Sequence, residues 1–245
     1  MKKLIKKIIE KTGYGIVNLN AINTPQKQKQ ITRDDFFNLY FSKIQNGFFF
    51  VEVGASDGIS SDPIHPYVSK YNLSGVVVEP LPDSFKLLEE TYKDFKNVMC
   101  INAAIGEKDL PFWSVNEGVP SDKNKLNLQQ ISSFNKQSLI KELSKRMSKQ
   151  ENPEDFISKT MVTTLSFKEL VEKCQIKRID FLQLDCEGYD YEVLKQFDFN
   201  LFSPDIINYE SFHFSDQTRH ECENLLKSKG YSLFRYGGDT CAYKI

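Results

Sequence analysis

The turn from Glu52 to Gly58 has the composition of a ligand-binding loop, with the sequence Glu-Val-Gly-Ala-Ser-Asp-Gly. Gly54 and Gly58 allow the backbone to turn tightly and a flat ligand to approach it closely. The turn lacks both the Gly-x-Gly-x-x-Gly pattern of a dinucleotide site and the lysine of a phosphate loop. Because Glu52 and Asp57 would repel a pyrophosphate, the turn predicts a ligand that has no phosphates and carries a cationic centre.

A further acid ends the next apolar run, Gly75 to Glu79. In nucleoside-binding folds, an acid at this place accepts hydrogen bonds from ribose hydroxyls, and Pro80 fixes the turn behind it. Taken singly, a glycine could be an ordinary loop residue and an acid a helix cap. Together they predict an adenosine ligand with a cationic centre, such as S-adenosylmethionine. The residues expected to bind it are Glu52, Gly54, Ala55, Ser56, Asp57, Gly58, Glu79 and Pro80.

A pair of acids, Asp185 and Glu187, follows a later apolar run. Alternate residues of an extended strand share a side, so the two carboxylates should converge beside the cofactor. They could hold its ammonium group, activate a substrate hydroxyl or bind a divalent ion. Alternatively, one of them caps the helix predicted over residues 189–197.

His213 is a further candidate base, because its unperturbed pKa of about 6.5 suits proton abstraction. Glu210 and His213 face opposite sides if the strand stays extended and converge only if the chain turns after Glu210. Were they to meet, Asp185, Glu187, Glu210 and His213 would form a site for a hard ion, which makes magnesium dependence a further hypothesis. A hydrogen-bonded structural role is the alternative for His213. His65 could line the acceptor pocket or lie on a surface loop.

The elements that must position these residues alternate between short apolar strands and helices. Such alternation predicts an open, mostly parallel α/β sheet that binds ligands at the carboxyl ends of its strands. Strands are predicted at residues 48–53, 75–79, 98–102, 179–184 and 206–209, with a terminal hairpin at 233–236 and 242–245.

Charged residues nearly balance, with 32 Lys and Arg against 33 Asp and Glu, for a net charge of −1 in 245 residues. Nucleic-acid binding usually requires a basic excess, so no nucleic-acid partner is expected. The five cysteines are scattered without a C-x-x-C pair, which indicates free thiols. With no signal-peptide or membrane-spanning run, a cytoplasmic protein is expected.

Basic residues are concentrated in two segments. Residues 1–11 place five lysines around Leu4, Ile5, Ile8 and Ile9, which predicts a short basic amphipathic helix, and a linker follows to residue 31. This helix could contact the inner face of an anionic membrane weakly, or pack on the main domain at residues 32–245.

The second basic segment, residues 121–150, has seven basic residues and a helical pattern of Leu139, Leu143 and Met147. The segment is predicted to be an insertion in the main domain. The segment could be a lid that attracts an anionic substrate or a solvated surface helix.

Five stretches resemble, in order and spacing, the FkbM family of S-adenosylmethionine-dependent methyltransferases. They are VEVGASDG, VVVEPLPDSF, INAAIG, TLSFKEL with IDFLQLDCEGYDYEVL, and PDIINYE, and the resemblance covers about residues 46–245. It implies a Rossmann-like class I methyltransferase fold with a mostly parallel seven-stranded sheet and a C-terminal antiparallel hairpin. It also implies methylation of hydroxyl groups, often on the sugars of glycans, polysaccharides or glycosylated natural products, with lipid-linked glycans among the possible acceptors.

The same resemblance implies roles for individual residues. Gly54, Ala55 and Gly58 would line the methionine part of the cofactor, Glu79 would bind its ribose, and Asp185 would lie near the transferred methyl group. The adenine would be flanked by Asn102, Ala103 and Ala104. Ser132, Ser133 and Phe134 match a recurring family segment and could touch the acceptor, although a serine pair that caps a helix is the alternative.

Three other functions are weighed. A methyltransferase of this fold could act on a non-sugar hydroxyl. A nicotinamide-dependent oxidoreductase uses the same kind of sheet, but the missing Gly-x-Gly-x-x-Gly pattern and the acidic flank disfavour it. A non-catalytic family member would be expected to lack a glycine or an acid of the site, and this sequence retains them.

Overall fold

A computed structural model describes residues 32–44, 46–60, 62–108, 110–116, 131–147 and 151–244. The predicted basic helix and linker at residues 1–31 lie outside the described residues. So do residues 121–130 and 148–150 of the predicted insertion, together with residues 117–120 before it.

Twelve strands and seven α-helices are found in the described residues. The strands are β1 (Phe49–Val53), β2 (Ser74–Val78), β3 (Val98–Ile101), β4 (Ala104–Ile105), β5 (Phe112–Val115), β6 (Ser132–Ser133), β7 (Ile157–Thr160), β8 (Thr164–Leu165), β9 (Phe181–Leu184), β10 (Ile206–Glu210), β11 (Ser232–Tyr236) and β12 (Asp239–Tyr243). The helices are α1 (Arg33–Phe41), α2 (His65–Tyr71), α3 (Pro82–Tyr92), α4 (Lys136–Arg146), α5 (Phe167–Lys173), α6 (Asp190–Gln196) and α7 (Asp216–Ser228).

Seven of these strands form the central sheet, in the order β11-β12-β10-β9-β1-β2-β3. The five strands from β10 to β3 are parallel, and β12 is antiparallel to both of its neighbours, β10 and β11. The predicted parallel sheet with a terminal antiparallel hairpin is therefore confirmed.

The central strands are apolar on both faces because helices cover both sides of the sheet. In β1, Val51 and Val53 belong to one buried cluster, and Phe50 belongs to the cluster on the opposite face. On that second face, α1 contributes Phe37 and Phe41, and a capping box between Thr32 and Asp35 begins the helix. The apolar runs recognised in the sequence are the strands that this packing requires.

Register places the predicted site residues at one edge of the sheet. Val53 pairs with Val78 and with Leu184, and Leu184 pairs with Tyr209. The residues that follow these four are Gly54, Glu79, Asp185 and Glu210. Four separate segments of the chain therefore present their site residues side by side.

A small antiparallel sheet of β6, β5 and β7, here called the insertion sheet, was not predicted from the sequence. Helix α4, the insertion helix, packs on it through Leu139 and Leu143, which are buried with Val115, Ile157 and the C-cap residue Met147. These strands have only two to four residues each, too few for a period-2 pattern to be recognised. Strands β4 and β8, on either side of the insertion, pair in parallel with each other.

None of the helices in the described ranges has the length and apolarity needed to cross a bilayer.

Candidate functional site

The strand ends and the insertion sheet enclose a cavity of about 240 Å³. Many of the predicted site residues line it: Gly54, Ser56, Glu79, Pro80, Ala103, Ala104, Ser132, Ser133, Asp185, Glu187 and Glu210. Others lie behind or away from the lining: Glu52, Ala55, Asp57, Gly58, His65, Asn102 and His213.

Gly54 is required by close packing between two strand ends. Its φ is +86°, and a β-carbon built on it would lie 1.8 Å from the backbone oxygen of Asp185. Gly54 thus lets the segment after β9 approach closely, and because it also lines the cavity, the predicted close approach of a ligand stays a prediction. At Gly58, a β-carbon would lie 2.8 Å from the side chains of Leu88 and Tyr92, so this glycine allows α3 to pack closely.

Glu79 is held in one orientation by the backbone around it. Its Oε2 accepts a hydrogen bond from the Ser56 amide at 3.0 Å, and its Oε1 accepts one from the Leu81 amide at 2.8 Å. The side chain is 4% exposed, and this burial raises the pKa of the carboxyl to about 7 although both hydrogen bonds lower it. A carboxyl fixed in this way beside the cavity is suited to accept hydrogen bonds from ligand hydroxyls.

The two acids that flank the β1 turn do not face the cavity. Glu52 is 2% exposed, and burial together with the nearby Asp62 carboxyl raises its pKa well above the usual range. Asp57 accepts hydrogen bonds from the amides of Ile59 at 2.9 Å and Ser60 at 2.7 Å. Asp57 holds the loop through these amides, Glu52 is buried, and neither acid lines the cavity, so their part in cofactor binding stays a prediction.

Glu187, Glu210 and His213 meet at the other end of the cavity and form what is called here the Glu-His cluster. Nε2 of His213 lies 3.1 Å from Oε2 of Glu187 and 3.6 Å from Oε2 of Glu210. The chain turns after β10, which is the condition under which the sequence predicted that Glu210 and His213 converge. Glu187 reaches the cluster through a left-handed backbone, with a φ of +49°, rather than through strand alternation.

Members of the Glu-His cluster differ in their access to the cavity. Glu187 and Glu210 line it, whereas the His213 side chain is 2% exposed and lies behind them. Burial, with Asp185 and Glu187 nearby, raises the pKa of Glu210 to about 11. Asp185 is open to the cavity, yet the surrounding protein and the Glu187 carboxylate raise its pKa well above the usual range. Both carboxyls therefore favour the protonated, uncharged form near neutral pH.

The same three residues could together hold a divalent ion. One ligand atom from each of Glu187, Glu210 and His213 lies within 4.8 Å of the other two, and Asp185 does not belong to this group. Nitrogen and carboxylate oxygen donors suit several divalent metals. The four-residue ligand set expected from the sequence is thus reduced to three.

Asp190 is a buried acid that the sequence reading missed. Its Oδ2 accepts a hydrogen bond from the Cys186 amide at 3.3 Å, and its Oδ1 accepts one from the Glu210 amide at 3.2 Å. It therefore ties the segment after β9 to the end of β10. The helix-capping alternative for Asp185 and Glu187 is wrong, because the N-cap of α6 is Tyr189 and it makes no side-chain cap. Asp190 could have been identified from the sequence as an acid in the first turn of a predicted helix.

An aromatic wall of Phe112, Phe134 and Tyr189 closes the side of the cavity next to the insertion sheet. Ring centroids lie 4.9 Å apart for Phe112 and Phe134, and 4.7 Å apart for Phe134 and Tyr189. Gly106 permits this, since a β-carbon there would lie 2.5 Å from the Phe134 ring. Only Phe134 was anticipated, because isolated aromatics in short strands carry no recognisable pattern.

The predicted serine pair lies beside this wall. Ser133 donates a hydrogen bond to the Cys186 carbonyl at 3.2 Å and accepts one from the Asn135 amide at 3.0 Å. The N-cap of the insertion helix is Asn135, so the serines are not its N-cap. Ser133 joins the insertion to the segment after β9, and Ser132 is the more accessible of the two.

Two predicted residues have roles in packing or in loop structure. His65 begins α2, and its ring packs against those of Tyr92 and Phe95 at centroid distances of 5.7 and 6.4 Å. Asn102 donates hydrogen bonds to the carbonyls of Glu79 at 2.8 Å and Pro80 at 3.2 Å. His65 is therefore not brought to the cavity, and Asn102 holds the Glu79 turn in place.

The parallel sheet, the glycine turn after β1 and the fixed acid after β2 define a Rossmann-like α/β protein whose ligand site lies at the strand ends. Residues 52–233 match the methyltransferase FkbM domain, and this chain belongs to that family. It is an S-adenosylmethionine-dependent methyltransferase with the class I fold.

Several solved structures are similar to this chain. Methyltransferase FkbM from Methylobacillus flagellatus KT has 15% identity and a TM-score of 0.47, over 82% of this chain and 45% of that one. The O-methyltransferase from Bacillus cereus in complex with SAH has 12% identity and a TM-score of 0.44, over 100% and 92% of the two chains. Precorrin-6y C5,15-methyltransferase from Geobacter metallireducens GS-15 has 12% identity and a TM-score of 0.43, over 95% and 100%. No curated protein matches the chain significantly.

Proposed function

We propose that this enzyme transfers a methyl group from S-adenosylmethionine to a hydroxyl of a sugar ring in a glycan, a polysaccharide or a glycosylated natural product. The observation that carries the proposal is the pairing of an aromatic wall with carboxylates in one cavity. A sugar ring presents apolar C–H faces, which pack on aromatic rings, and equatorial hydroxyls, which donate hydrogen bonds to carboxylates.

The cofactor is proposed to lie across the ends of β1 and β2. Glu79 would accept hydrogen bonds from its ribose hydroxyls, Ala103 and Ala104 would flank the adenine, and Asp185 would face its cationic end. The fit rests on two observations: the Glu79 carboxyl is fixed by backbone amides, and the two alanines line the cavity with apolar surface. Bound S-adenosylmethionine supplies an electrophilic methyl group on a sulfonium centre.

Glu187 is proposed to accept the proton of the acceptor hydroxyl. With S-adenosylmethionine bound, the acceptor oxygen would take its methyl group and leave S-adenosylhomocysteine, while Glu187 would accept the hydroxyl proton. Glu187 lines the cavity, while His213 lies behind it at 3.1 Å and acts as a positioning residue. Of the three candidate bases, Asp185, Glu187 and His213, Glu187 is preferred to His213 because His213 does not line the cavity. Glu210, which shares His213, would hydrogen-bond the sugar.

Weak contact of residues 1–11 with an anionic membrane surface is a further proposal, supported by the basic amphipathic sequence pattern alone. Such contact would suit a lipid-linked glycan as the acceptor. Co-sedimentation of the full chain with vesicles containing an anionic lipid tests it. Equal sedimentation of a variant with Lys2, Lys3, Lys6 and Lys7 replaced by glutamine would contradict it.

The function is tested by transfer of a labelled methyl group to neutral glycosides, activated sugars, lipid-linked glycans and finished polysaccharide. Incorporation that depends on a free ring hydroxyl is the expected result. Incorporation only into phenols or other non-sugar hydroxyls would show that the acceptor is another kind of small molecule, which could also pack on the aromatic wall. Tight NAD binding without SAH binding would overturn methyl transfer itself.

A further inference from the structure

The turn from Cys186 to Tyr189 holds Glu187 in an uncommon backbone conformation. The φ angle is +49° at Glu187 and +90° at Gly188, and the Tyr189 amide donates a hydrogen bond to the Cys186 carbonyl at 3.1 Å. Positive φ at both central residues of a turn favours glycine, asparagine or aspartate. Glycine occupies the second position, but at the first the β-carbon of a glutamate makes this conformation unfavourable. Contacts beyond the turn are therefore needed to hold Glu187 in place.

Both backbone groups of Cys186, the residue before Glu187, have such contacts. The Cys186 amide donates a hydrogen bond to Oδ2 of Asp190 at 3.3 Å, and the Cys186 carbonyl accepts one from the Ser133 hydroxyl at 3.2 Å. The Cys186 carbonyl and the Glu187 amide belong to one rigid peptide plane. Fixing this plane fixes the bond about which φ of Glu187 turns, and with it the direction of the Glu187 side chain.

Ser133 is itself held by the start of the insertion helix. Its hydroxyl accepts a hydrogen bond from the amide of Asn135, the N-cap residue, at 3.0 Å, and the Asn135 side chain accepts one from the Ser138 amide at 3.2 Å. Ser138 also packs on the turn, because a β-carbon at Gly188 would lie 2.6 Å from the Ser138 hydroxyl oxygen. The start of the insertion helix and the turn are therefore packed against each other.

Asp190 joins the same turn to the end of β10. The Asp190 side chain is fully buried, and its second oxygen, Oδ1, accepts a hydrogen bond from the Glu210 amide at 3.2 Å. Asp190 does not line the cavity, whereas Glu187 and Glu210 do. Its effect on an acceptor would therefore be exerted through the residues whose backbone it holds.

We propose that Ser133 and Asp190 are positioning residues for methyl transfer, which hold the Cys186–Glu187 peptide so that the Glu187 side chain points into the cavity. This role is separate from the acceptor contact that the sequence predicted for Ser133. It gives the insertion a part in orienting the base as well as in enclosing the cavity. The proposal rests on the proposed function, because it takes Glu187 as the group that accepts the proton.

Ser133→Ala removes the hydroxyl that holds the Cys186 carbonyl. We expect kcat to fall about tenfold, because a small displacement of a base from its reactive position slows the chemical step. The affinity for SAH and the KM for the acceptor should change less than about threefold. Ser144→Ala is the matched control: it removes an exposed hydroxyl of the insertion helix that donates to the Ile140 carbonyl at 2.6 Å, and kcat should stay within about twofold of wild type.

A double-mutant cycle with Glu187→Gln separates positioning from general support of the cavity. Once the base is removed, the loss of Ser133 has little left to disturb, so Ser133→Ala should lower kcat less than about twofold in the Glu187→Gln background. The cycle is measured on any acceptor that the enzyme methylates. The same tenfold loss in both backgrounds would show that Ser133 acts independently of Glu187 and would overturn the proposal.

Asp190→Asn tests the second positioning residue. The amide has one acceptor oxygen in place of two, so one of the two backbone amides loses its partner, and kcat should fall at least as far as in Ser133→Ala. Asp198→Asn is the control, since Oδ1 of this exposed side chain accepts hydrogen bonds from the Asn200 and Leu201 amides away from the cavity. Should Asp190→Asn fail to fold, the Ser133 cycle decides the proposal by itself.

The outcomes distinguish this proposal from the proposed function. A wild-type kcat in Glu187→Gln would overturn the assignment of the base and the positioning role together. A wild-type kcat in Ser133→Ala, with Glu187→Gln impaired, would overturn the positioning role and leave the base in place. Methyl transfer to non-sugar acceptors alone would overturn the sugar function, and the cycle measured on those acceptors would still decide the positioning role.

Discussion

At the scale of single residues, the site depends on carboxyl groups whose surroundings differ. Glu79 is buried and held by two amides, Glu187 contacts an imidazole, and Glu210 is buried beside other acids. Burial raises the pKa of Glu79 to about 7 and, together with the neighbouring acids, that of Glu210 to about 11. Their roles can therefore be separated by pH and by isosteric substitution.

Glu79 is expected to make cofactor binding depend on pH. Its pKa in the free enzyme is raised to about 7 by burial, whereas ribose hydroxyls donate their hydrogen bonds best to the ionised carboxylate. Affinity should therefore rise as the pH increases through this pKa, with SAH bound about tenfold more weakly near pH 6 than near pH 8. Calorimetric titration at both pH values checks this.

Glu79→Gln provides the control for that measurement. It should bind SAH more weakly near pH 8 and lose most of the change in affinity between the two pH values, because the amide does not titrate. If the variant showed the same pH dependence as the wild type, the titrating group would be a different residue of the cavity.

Glu187→Gln is expected to lower kcat by a factor of about 100 to 10,000, which is the usual contribution of a general base. SAH affinity should change less than about threefold, since Glu187 is placed on the acceptor side. Glu221→Gln, at an exposed position on α7, is the matched control. Comparable loss of cofactor binding in Glu187→Gln would show that this carboxylate holds the cofactor instead.

Chelation separates the general-base assignment from the magnesium hypothesis. With Glu187 accepting the proton directly, methyl transfer should persist after dialysis against EDTA and should not respond to added magnesium. Activity that EDTA abolishes and magnesium restores would make Glu187, Glu210 and His213 metal ligands. Isothermal titration of magnesium into the SAH complex gives a readout that does not depend on turnover.

At the scale of the elements, the site exists because strand ends are held in register. Residues that follow β1, β2, β9 and β10 are adjacent, and Gly54 allows the end of β1 to pack against the backbone of Asp185. The insertion helix and sheet close the opposite side. Each element thus forms one side of the cavity. Its packing can therefore be tested separately from the chemistry of its side chains.

Gly54→Ala is expected to destabilise the protein by several kcal/mol and to abolish SAH binding, because a β-carbon would overlap the Asp185 carbonyl. Gly230→Ala is the matched control: its φ of +85° is nearly the same, and nothing lies within 4 Å of the added carbon. It should cost only about 1 kcal/mol and retain SAH binding. Chemical denaturation and calorimetry measure both effects. If the two variants lost stability and SAH affinity equally, Gly54 would be required only for its positive φ and not for close packing.

The elements also show where sequence reasoning succeeds. Long apolar runs such as residues 48–53 predicted central strands because both faces of this sheet are buried. Ser166 and Glu169 form a capping box at the start of α5, and this Ser-x-x-Glu pattern can be recognised in the sequence. The insertion sheet was missed because its strands are short and pair across distant segments, so that no local pattern marks them.

At the scale of the whole molecule, the near-zero net charge conceals a separation of charges. Carboxyl groups line the cavity, while Lys136 and Lys145 of the insertion helix make ion pairs away from it. The sequence placed the acids at the strand ends correctly. It did not show that Glu52 and Asp57 lie outside the cavity lining, because the direction of a side chain in a loop depends on hydrogen bonds that sequence spacing does not encode.

Stability is expected to be uneven across the molecule. The central sheet is covered on both faces by large buried clusters, whereas the insertion sheet has a small cluster of its own. Amide hydrogen exchange should therefore be slowest in β1, β9 and β10 and faster in β5, β6 and β7. SAH should slow exchange after β1 and β2 most strongly, and equal protection of the two sheets would show that they unfold as one unit.

The parallel pair of β4 and β8 has a consequence for evolution and for engineering. Ala104 pairs with Thr164 and Ile105 with Leu165, so the chain leaves the cofactor half of the molecule and returns to it at neighbouring points. The segment between these strands carries most of the aromatic wall and both serines. If the proposed function holds, chimeras joined at these two strands should keep the methyl donor while their preference among acceptors changes.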